Sequence, residues 1–146
     1  MSKLSKSTAT SHMAIPGYVD TYGQELGEWS VSIERMLIDL DEAPFFKGAP
    51  DDLCQGHHVG YVLKGKFGIR KADGTEEIFE AGEAFVIEPG HTPLSFEGGE
   101  YVAFTPTEDA RAQMAVVMPN MLKYAREQGI ELPAELMAQV GPSATP

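Results

Sequence analysis

The sequence contains little cysteine, few basic residues and no long apolar run, and each shortage excludes a class of protein. A single cysteine, Cys54, excludes a disulfide within the chain. The 11 Lys and Arg residues against 22 Asp and Glu give a formal net charge of −11, which repels nucleic acid and anionic membrane surfaces. No apolar run reaches the length needed to span a bilayer. We therefore expect neither nucleic acid nor a membrane as a partner.

The N-terminal segment carries no recognisable targeting signal. Residues Met1 to Thr10 are polar, include Lys3 and Lys6, and lack the apolar stretch of a secretory signal. The expected location is therefore the cytoplasm. Ser11-His12-Met13 is typical of the amino acids that a cloning site leaves in an expressed chain, so we expect residues 1–13 to be a disordered or expression-derived tail.

Short apolar runs separated by glycine and proline favour one turn-rich β domain. The 146 residues include 15 glycines and 10 prolines. Trp29 to Met36 alternates apolar and polar residues, which predicts a half-buried strand. Residues 14–27 are expected to be irregular or a short edge element, and residues 41–52 a loop. Val59 to Arg70 predicts two strands broken at Gly65, and Asp73-Gly74 predicts a hairpin turn. This spacing indicates a sandwich or barrel over residues 14–106.

The C-terminal part changes to a helical period. Thr105-Pro106-Thr107-Glu108 fits a capping box, and it is followed by apolar residues at helical spacing. Pro119 lies inside this run and predicts a kink or two helices. We expect a helical extension over residues 107–140, with a short last helix from Pro133 to Val140, and a disordered tail over residues 141–146.

The segment from Cys54 to Phe96 resembles the cupin superfamily, whose members are small jelly-roll barrels. Tyr61-Val-Leu-Lys-Gly65 is similar to the closing half of the first cupin motif. Gly82-Glu-Ala-Phe-Val-Ile-Glu-Pro-Gly90-His91 is similar to the opening of the second. The resemblance implies an all-β fold, a double-stranded β-helix with C-terminal α-helices.

The motif positions depart from the family pattern in a specific way. His58 stands where the family has a glutamate ligand, Cys54 stands where the second histidine of the first motif lies, and Asp52 takes the place of the first histidine. In the second motif the histidine position falls on Pro93, but His91 lies two residues earlier and shares its face along a strand. A subset of single-domain cupins, of the cupin 2 type, is similar in carrying this Cys-x3-His variant.

The resemblance implies a divalent metal ion, zinc, iron or copper, held by Cys54, His58 and His91. Three protein ligands leave a coordination position for water or a substrate. Asp51 or Asp52 could complete the shell or orient a ligand, and Gly60 would leave room above the metal. Strand parity directs His57 to the opposite face, with replacement of His58 by His57 as the alternative.

A metal-free barrel is a second interpretation, in which Cys54 is a small buried residue and the histidines are hydrogen-bonded pocket residues. Two functions follow. One is a small metalloenzyme of the oxygenase or isomerase type that acts on a small organic molecule in the barrel. The other is a non-catalytic module that binds or senses a small ligand. No general base is evident, because Glu83 and Glu88 are expected to be solvated, so the sequence leaves open whether the protein is an enzyme.

The resemblance also implies a homodimer, since lone cupin barrels pair through sheet edges and aromatic faces. Trp29, Phe45 and the methionine-rich helix are the apolar surfaces that we expect to contribute.

Overall fold

The computed structural model describes residues 2–134 of the 146-residue chain. These residues form ten β-strands and one α-helix, with two short 3-10 turns between the fourth and fifth strands. In chain order they are β1 (Ser11–Ile15), β2 (Val19–Leu26), β3 (Trp29–Met36), β4 (Leu40–Asp41), the turns Ala43–Phe46 and Pro50–Asp52, β5 (His58–Lys64), β6 (Lys66–Lys71), β7 (Glu76–Glu80), β8 (Ala84–Ile87), β9 (His91–Ser95), β10 (Glu100–Pro106) and α1 (Thr107–Glu127).

The strands form two antiparallel sheets. The six-stranded sheet has the order β1-β2-β3-β10-β5-β8, and the four-stranded sheet has the order β4-β9-β6-β7. The chain passes from one sheet to the other at Gly65, between β5 and β6, where the backbone takes a φ of 61°. This arrangement confirms the predicted all-β jelly roll with a C-terminal helical element.

The predicted central hairpin joins β6 and β7. Gly74 adopts a φ of 90°, a left-handed conformation that glycine takes without a steric penalty. The Asp73 carboxylate accepts a hydrogen bond from the Thr75 amide at 2.9 Å and closes the turn. The Asp-Gly pair therefore lies in the hairpin turn as predicted, but the Lys71 amide donates to the Thr75 carbonyl at 2.8 Å, so the loop is longer than the two residues that the sequence predicts.

An aromatic core fills the space between the sheets at one end of the barrel. Phe67 of β6 stacks on Tyr101 of β10 with ring centroids 4.2 Å apart, and Phe85 contacts both rings. Val62 is fully buried beside them. Inward residues of both sheets supply this core, so it fixes how the sheets face each other.

The N-terminal part contains more strand than the sequence predicts. Residues 14–27 were expected to be irregular or a short edge element, but β2 pairs with β3 along its whole length. β2 is half-buried at nearly every position, so it shows no clear apolar alternation. β1 pairs with β2 and includes Ser11 to Met13, which the sequence assigned to a tail. The expression-derived origin of residues 1–13 stays a prediction.

The helical region differs from the prediction in two respects. A single helix, α1, runs through Pro119, so of the expected kink or two helices the second alternative is wrong. Asn120 anchors this part of α1, because its side-chain amide donates to the carbonyls of Phe45 and Lys47 at 2.8 and 2.9 Å. The predicted capping box is not formed, since Pro106 is the N-cap and makes no side-chain capping bond.

The predicted last helix at residues 133–140 and the tail at 141–146 lie almost wholly outside the described residues. Within the described part of the chain, no helix is both long and apolar enough to cross a membrane. Phe45, expected at an interface, is buried under α1, whereas Trp29 is 46% exposed.

Candidate metal centre

A β-bridge joins the two sequence motifs at Cys54 and His91. The Cys54 amide donates to the His91 carbonyl at 2.8 Å, and the Gly90 amide donates to the Cys54 carbonyl at 2.8 Å. Gly90 has a φ of 92°, which lets the chain turn into β9 immediately before His91. The thiol and the imidazole therefore start from hydrogen-bonded neighbours, and both residues are buried.

The His91 ring is oriented by a backbone carbonyl. Its Nδ1–H donates to the carbonyl oxygen of Glu88 at 2.7 Å. A carbonyl only accepts hydrogen bonds, so the proton of the neutral ring must lie on Nδ1. The Nε2 lone pair of His91 is thereby available as a ligand.

His58 is the first residue of β5 and faces the barrel interior. Its Nδ1 lies 2.7 Å from the hydroxyl oxygen of Thr105 on the neighbouring strand β10. Its Nε2 lies 3.4 Å from Cys54 Sγ. Gly56 leaves space for the ring, because a Cβ there would come within 3.1 Å of the imidazole.

The three predicted ligands converge. One ligand atom from each of Cys54, His58 and His91 lies within 4.8 Å of the other two. The two imidazole rings are nearly perpendicular, with centroids 5.3 Å apart. Sulfur and nitrogen ligands at about 2.0–2.3 Å from a tetrahedral ion lie roughly 3.3–3.8 Å apart. The side chains therefore need to close by only about an ångström to fit zinc.

Burial favours the uncharged forms of the Cys54 thiol and of the two imidazoles. Burial raises the pKa of Cys54 to about 11, and the nearby charges of Glu42 and Asp109 act in the same direction. Burial, reinforced by His91, lowers the pKa of His58 to about 4. Burial also lowers the pKa of His91. Near neutral pH both imidazoles are thus in the neutral form that binds metal, while the thiol must lose a proton.

The other predicted contributors lie elsewhere. Asp51 and Asp52 are exposed in left-handed conformations, and the Asp52 carboxylate accepts from the Gly48 amide at 2.8 Å. The expectation that either residue completes the shell is therefore wrong. Gly60 does not leave space above the site, because a Cβ there would overlap the Val102 carbonyl and the Phe85 ring.

His57 points away from the cluster, as strand parity predicts. It is more than half exposed, and its ring lies 3.0 Å from the Glu88 carboxylate and 3.8 Å from that of Asp109. The structure thus gives no support to the alternative in which His57 replaces His58. Glu88 is itself largely exposed, as expected.

The sequence did not predict the contribution of α1 and β10 to the site. The Cys54 thiol donates to Gln113 Oε1 at 3.7 Å, and Thr105 holds His58. The sequence placed Thr105 in a capping box, and this local pattern gave no indication that its hydroxyl contacts His58. Gln113 carries no signal beyond a position on the helix that covers this end of the barrel.

A cavity of about 610 Å³ leads from the candidate metal centre into the barrel. Its walls are mainly apolar, and they include the methionines of α1, of which Met121 packs against the buried cluster that contains Cys54. His58 and His91 line one part of the cavity. This volume is within the range of small-molecule sites, about 300–1,000 Å³.

Solved structures with a similar fold come from several bacteria. The polyketide cyclase RemF from Streptomyces resistomycificus has a TM-score of 0.50 at 13% identity, covering 73% of this chain and 79% of that chain. An RmlC-like cupin from Shewanella frigidimarina has a TM-score of 0.49 at 17% identity, covering 70% and 88%. KdgF from Halomonas has a TM-score of 0.45 at 12% identity, covering 66% and 84%.

No protein-family profile and no curated protein sequence matches the chain. Because the sequence identities are this low, the similarities to these structures concern the fold alone. The two antiparallel sheets, with the two motif segments bridged at Cys54 and His91, agree with that similarity. The chain therefore has the jelly-roll fold, built from two antiparallel sheets, that its sequence resemblance implies.

Proposed function

We propose that the protein binds a divalent metal ion through Cys54 Sγ, His58 Nε2 and His91 Nε2, and a small organic molecule in the adjoining cavity. The observation that carries this proposal is the convergence of three ligand atoms within 4.8 Å at the end of a ligand-sized cavity. One thiolate and two imidazoles suit zinc, iron(II) or copper. A metal with three protein ligands supplies Lewis-acid chemistry to a carbonyl or bound water, which favours an enzyme of the isomerase or oxygenase type.

The residues of the chain itself have defined tasks in this site. The Glu88 carbonyl and the Thr105 hydroxyl hold the two imidazoles with Nε2 directed inward. Gln113 accepts a hydrogen bond from the Cys54 thiol before metal enters, and this bond is lost when the thiolate forms. The apolar walls limit water, so polar contacts made by a bound molecule gain strength.

Metal analysis of the untagged protein tests the metal proposal. The wild-type protein should bind about one zinc, iron or copper ion per chain after loading, whereas Cys54→Ser and His91→Ala should bind much less. His57→Ala is the matched control, because it removes a neighbouring imidazole that points away from the site. Equal metal content in wild type, Cys54→Ser and His91→Ala would refute the assignment.

A non-catalytic, metal-free ligand-binding or sensing protein is the second candidate. The Cys54 thiol already has a hydrogen-bond acceptor in Gln113, and its raised pKa favours the uncharged state. An enzyme should lose turnover when Cys54 or His58 is replaced, while the fold and ligand binding survive. A binding module should show saturable affinity and form no product, with or without metal.

We further propose a homodimer formed through the outer face of the six-stranded sheet. Val59 pairs with Val86 of β8 and with Phe104 of β10, so all three side chains share one face. Val86 is 67% exposed, and Tyr61 and Leu63 extend the apolar surface along β5. A second copy of the same face would cover it with a symmetric, isologous contact.

Sedimentation tests this dimer. The wild-type protein should sediment as a dimer at micromolar concentration, and Val86→Lys should shift it to a monomer, because two buried lysines would face each other. Ile78→Lys, at an exposed apolar residue of the other sheet, is the control and should leave the dimer intact. A monomeric wild type would contradict the proposal.

We also propose a cytoplasmic location. A cysteine ligand requires a reduced thiol, and reducing conditions are the rule in the cytosol. Cys54 is a free buried cysteine in the structure.

A further inference from the structure

The barrel cavity contains a carboxyl cluster formed by Glu34 and Glu42. Glu34 accepts a hydrogen bond from Ser32 at 3.0 Å and another from Tyr101. Glu42 is hydrogen-bonded to Ser95. Both glutamates line the same cavity as His58 and His91. The cluster is thus a polar patch inside a mainly apolar chamber.

The cluster has no cationic partner among the described residues that line the cavity. Burial raises the pKa of Glu42 to about 8, and the nearby charge of Glu34 adds to that increase. Burial also raises the pKa of Glu34. Among the described residues that line the cavity, Arg111 is the only Lys or Arg, and its guanidinium is paired with Glu25 at 2.9 Å. No cation of the cavity wall is therefore left to neutralise the two glutamates.

A separate observation also points to a missing partner. The hydroxyl oxygen of Thr21 is buried, with less than 1 Å² accessible, and has no hydrogen-bond partner within the described residues. Thr21 lines the cavity and lies opposite Glu34 in the pairing of β2 with β3. Buried polar atoms are nearly always paired, by protein or by bound molecules. The orphan hydroxyl thus lies beside the carboxyl cluster, where a ligand would provide its partner.

We propose that Glu34 and Glu42, with the Thr21 hydroxyl, bind the ammonium group of a small organic amine whose apolar body fills the cavity. An ammonium group has three donors and one positive charge, which matches two carboxyl groups and a hydroxyl acceptor. Phe67, Phe85 and Tyr101 offer aromatic surface for the body of such a molecule.

The position of the cluster relative to the metal centre fits a molecule with two functional ends. Thr105, which holds His58, and Tyr101, which contacts Glu34, are four residues apart on β10, or about 13 Å along the strand. The long side chains at both levels shorten the distance that a ligand must span. An amine bound at Glu34 and Glu42 would direct its other end toward the metal ligands. This inference rests on the proposal that the cavity is the ligand site, but not on the presence of metal.

Three probes of nearly equal shape test the inference: benzylamine, benzyl alcohol and benzoate. Their dissociation constants are measured at pH 7 by NMR titration of the full-length protein, both zinc-loaded and after chelation. Benzylamine should bind roughly tenfold more tightly than benzyl alcohol, since a hydrogen bond to a charged group contributes about 1.5–3 kcal/mol. Benzoate should bind most weakly, because its carboxylate meets two carboxyl groups.

The Glu34→Gln/Glu42→Gln variant should reduce the preference for benzylamine over benzyl alcohol to within about twofold. Glutamine keeps the shape and hydrogen-bonding capacity of glutamate and removes only the charge. The control is Glu76→Gln/Glu77→Gln, which removes two exposed charges from β7 and should leave the preference unchanged. If the double variant does not fold, Glu42→Gln alone should lower the preference in the same direction.

The proposal is overturned if benzyl alcohol or benzoate binds as well as benzylamine, if the glutamine variants retain the preference, or if none of the probes binds at millimolar concentration. The two forms of the protein separate this inference from the metal proposal. A preference that persists after chelation, in a protein that takes up no zinc, refutes the metal site and supports the amine site. Zinc binding without the preference does the reverse.

Discussion

The hydroxyl of Thr105 offers the most direct test of how the candidate metal centre is organised. It lies 2.7 Å from His58 Nδ1, and Thr105 is buried. Thr105→Val replaces the hydroxyl with a methyl group of similar size, so the packing is largely retained. When Nε2 binds the metal, the proton of the neutral His58 ring lies on Nδ1 and donates to Thr105; Thr105→Val removes this acceptor, and the ring is no longer held with Nε2 toward the Cys54 sulfur.

Two magnitudes follow from this geometry. Removing a partner that orients a metal-binding histidine lowers metal affinity by about 10–100-fold, or roughly 1.4–2.7 kcal/mol. Loss of the hydrogen bond also leaves His58 Nδ1 buried and unpaired, which lowers the free energy of unfolding of the metal-free protein by about 1–3 kcal/mol. Zinc affinity is measured by competition with a chromophoric chelator, and stability by urea unfolding after chelation.

Thr105→Ser is the control because it keeps the hydroxyl and removes only a methyl group. It should recover most of the zinc affinity that Thr105→Val loses. If Thr105→Val lowers stability but leaves zinc affinity within about twofold of wild type, the hydroxyl has a structural role only. The argument that it positions a ligand would then be wrong.

Three further predictions rest on separate features. Gly60→Ala should lower the free energy of unfolding in urea by about 3 kcal/mol or more, because the added Cβ would overlap the backbone carbonyl of Val102. Gly23→Ala is the control and should be nearly neutral, because the nearest atom to its added Cβ lies 3.7 Å away. Burial raises the pKa of Glu42 from its usual 4.5 to about 8, so its contribution to stability is present below pH 4.5 and is lost as the pH rises through 8. The free energy of unfolding of Glu42→Gln, relative to that of wild type, should therefore increase from pH 5 to pH 8, and it should exceed that of wild type by at least about 1 kcal/mol at pH 8. An equal difference at both pH values would contradict this. Zinc affinity should rise about tenfold per pH unit between pH 7 and pH 8.5, since the histidines are already neutral and Cys54 alone releases a proton; a slope near zero in a competition titration would contradict the predicted thiolate.

Much of the fold could be predicted because its signals are local. Alternation marked β3, the break at Gly65 separated β5 from β6, and Asp73-Gly74 marked a hairpin that the structure contains. β2 could not be predicted, because its half-buried residues show no alternation. At Pro119 the alternative of two helices is wrong, since propensity counts the lost backbone donor but not the packing of α1 against the Ala43–Phe46 turn.

The convergence of the three candidate ligands could also be predicted, since Cys54 and His58 are four residues apart and strand parity fixes the face of His91. The residues that support them could not. Thr105 reaches His58 across 47 positions and Gln113 reaches Cys54 across 59, so only the tertiary fold brings them together. Glu42 lay in a segment predicted to be an ordinary loop. Its burial depends on β4 pairing with β9, a two-residue contact that has no detectable pattern in the sequence.

The distribution of charge in the cavity links the two proposals. Cys54 binds a metal only as a thiolate, and the negative charge of Glu42 helps to raise the pKa of that thiol. The carboxyl cluster therefore opposes thiolate formation while the cavity is without cations. A metal ion at one end and an ammonium group at the other would each add positive charge to the same low-dielectric chamber, where charges interact more strongly than in water. An ammonium group at the glutamates would cancel the charge that disfavours the thiolate, so amine binding should strengthen metal binding. By linkage, the factor by which benzylamine increases metal affinity should equal the factor by which metal increases benzylamine affinity.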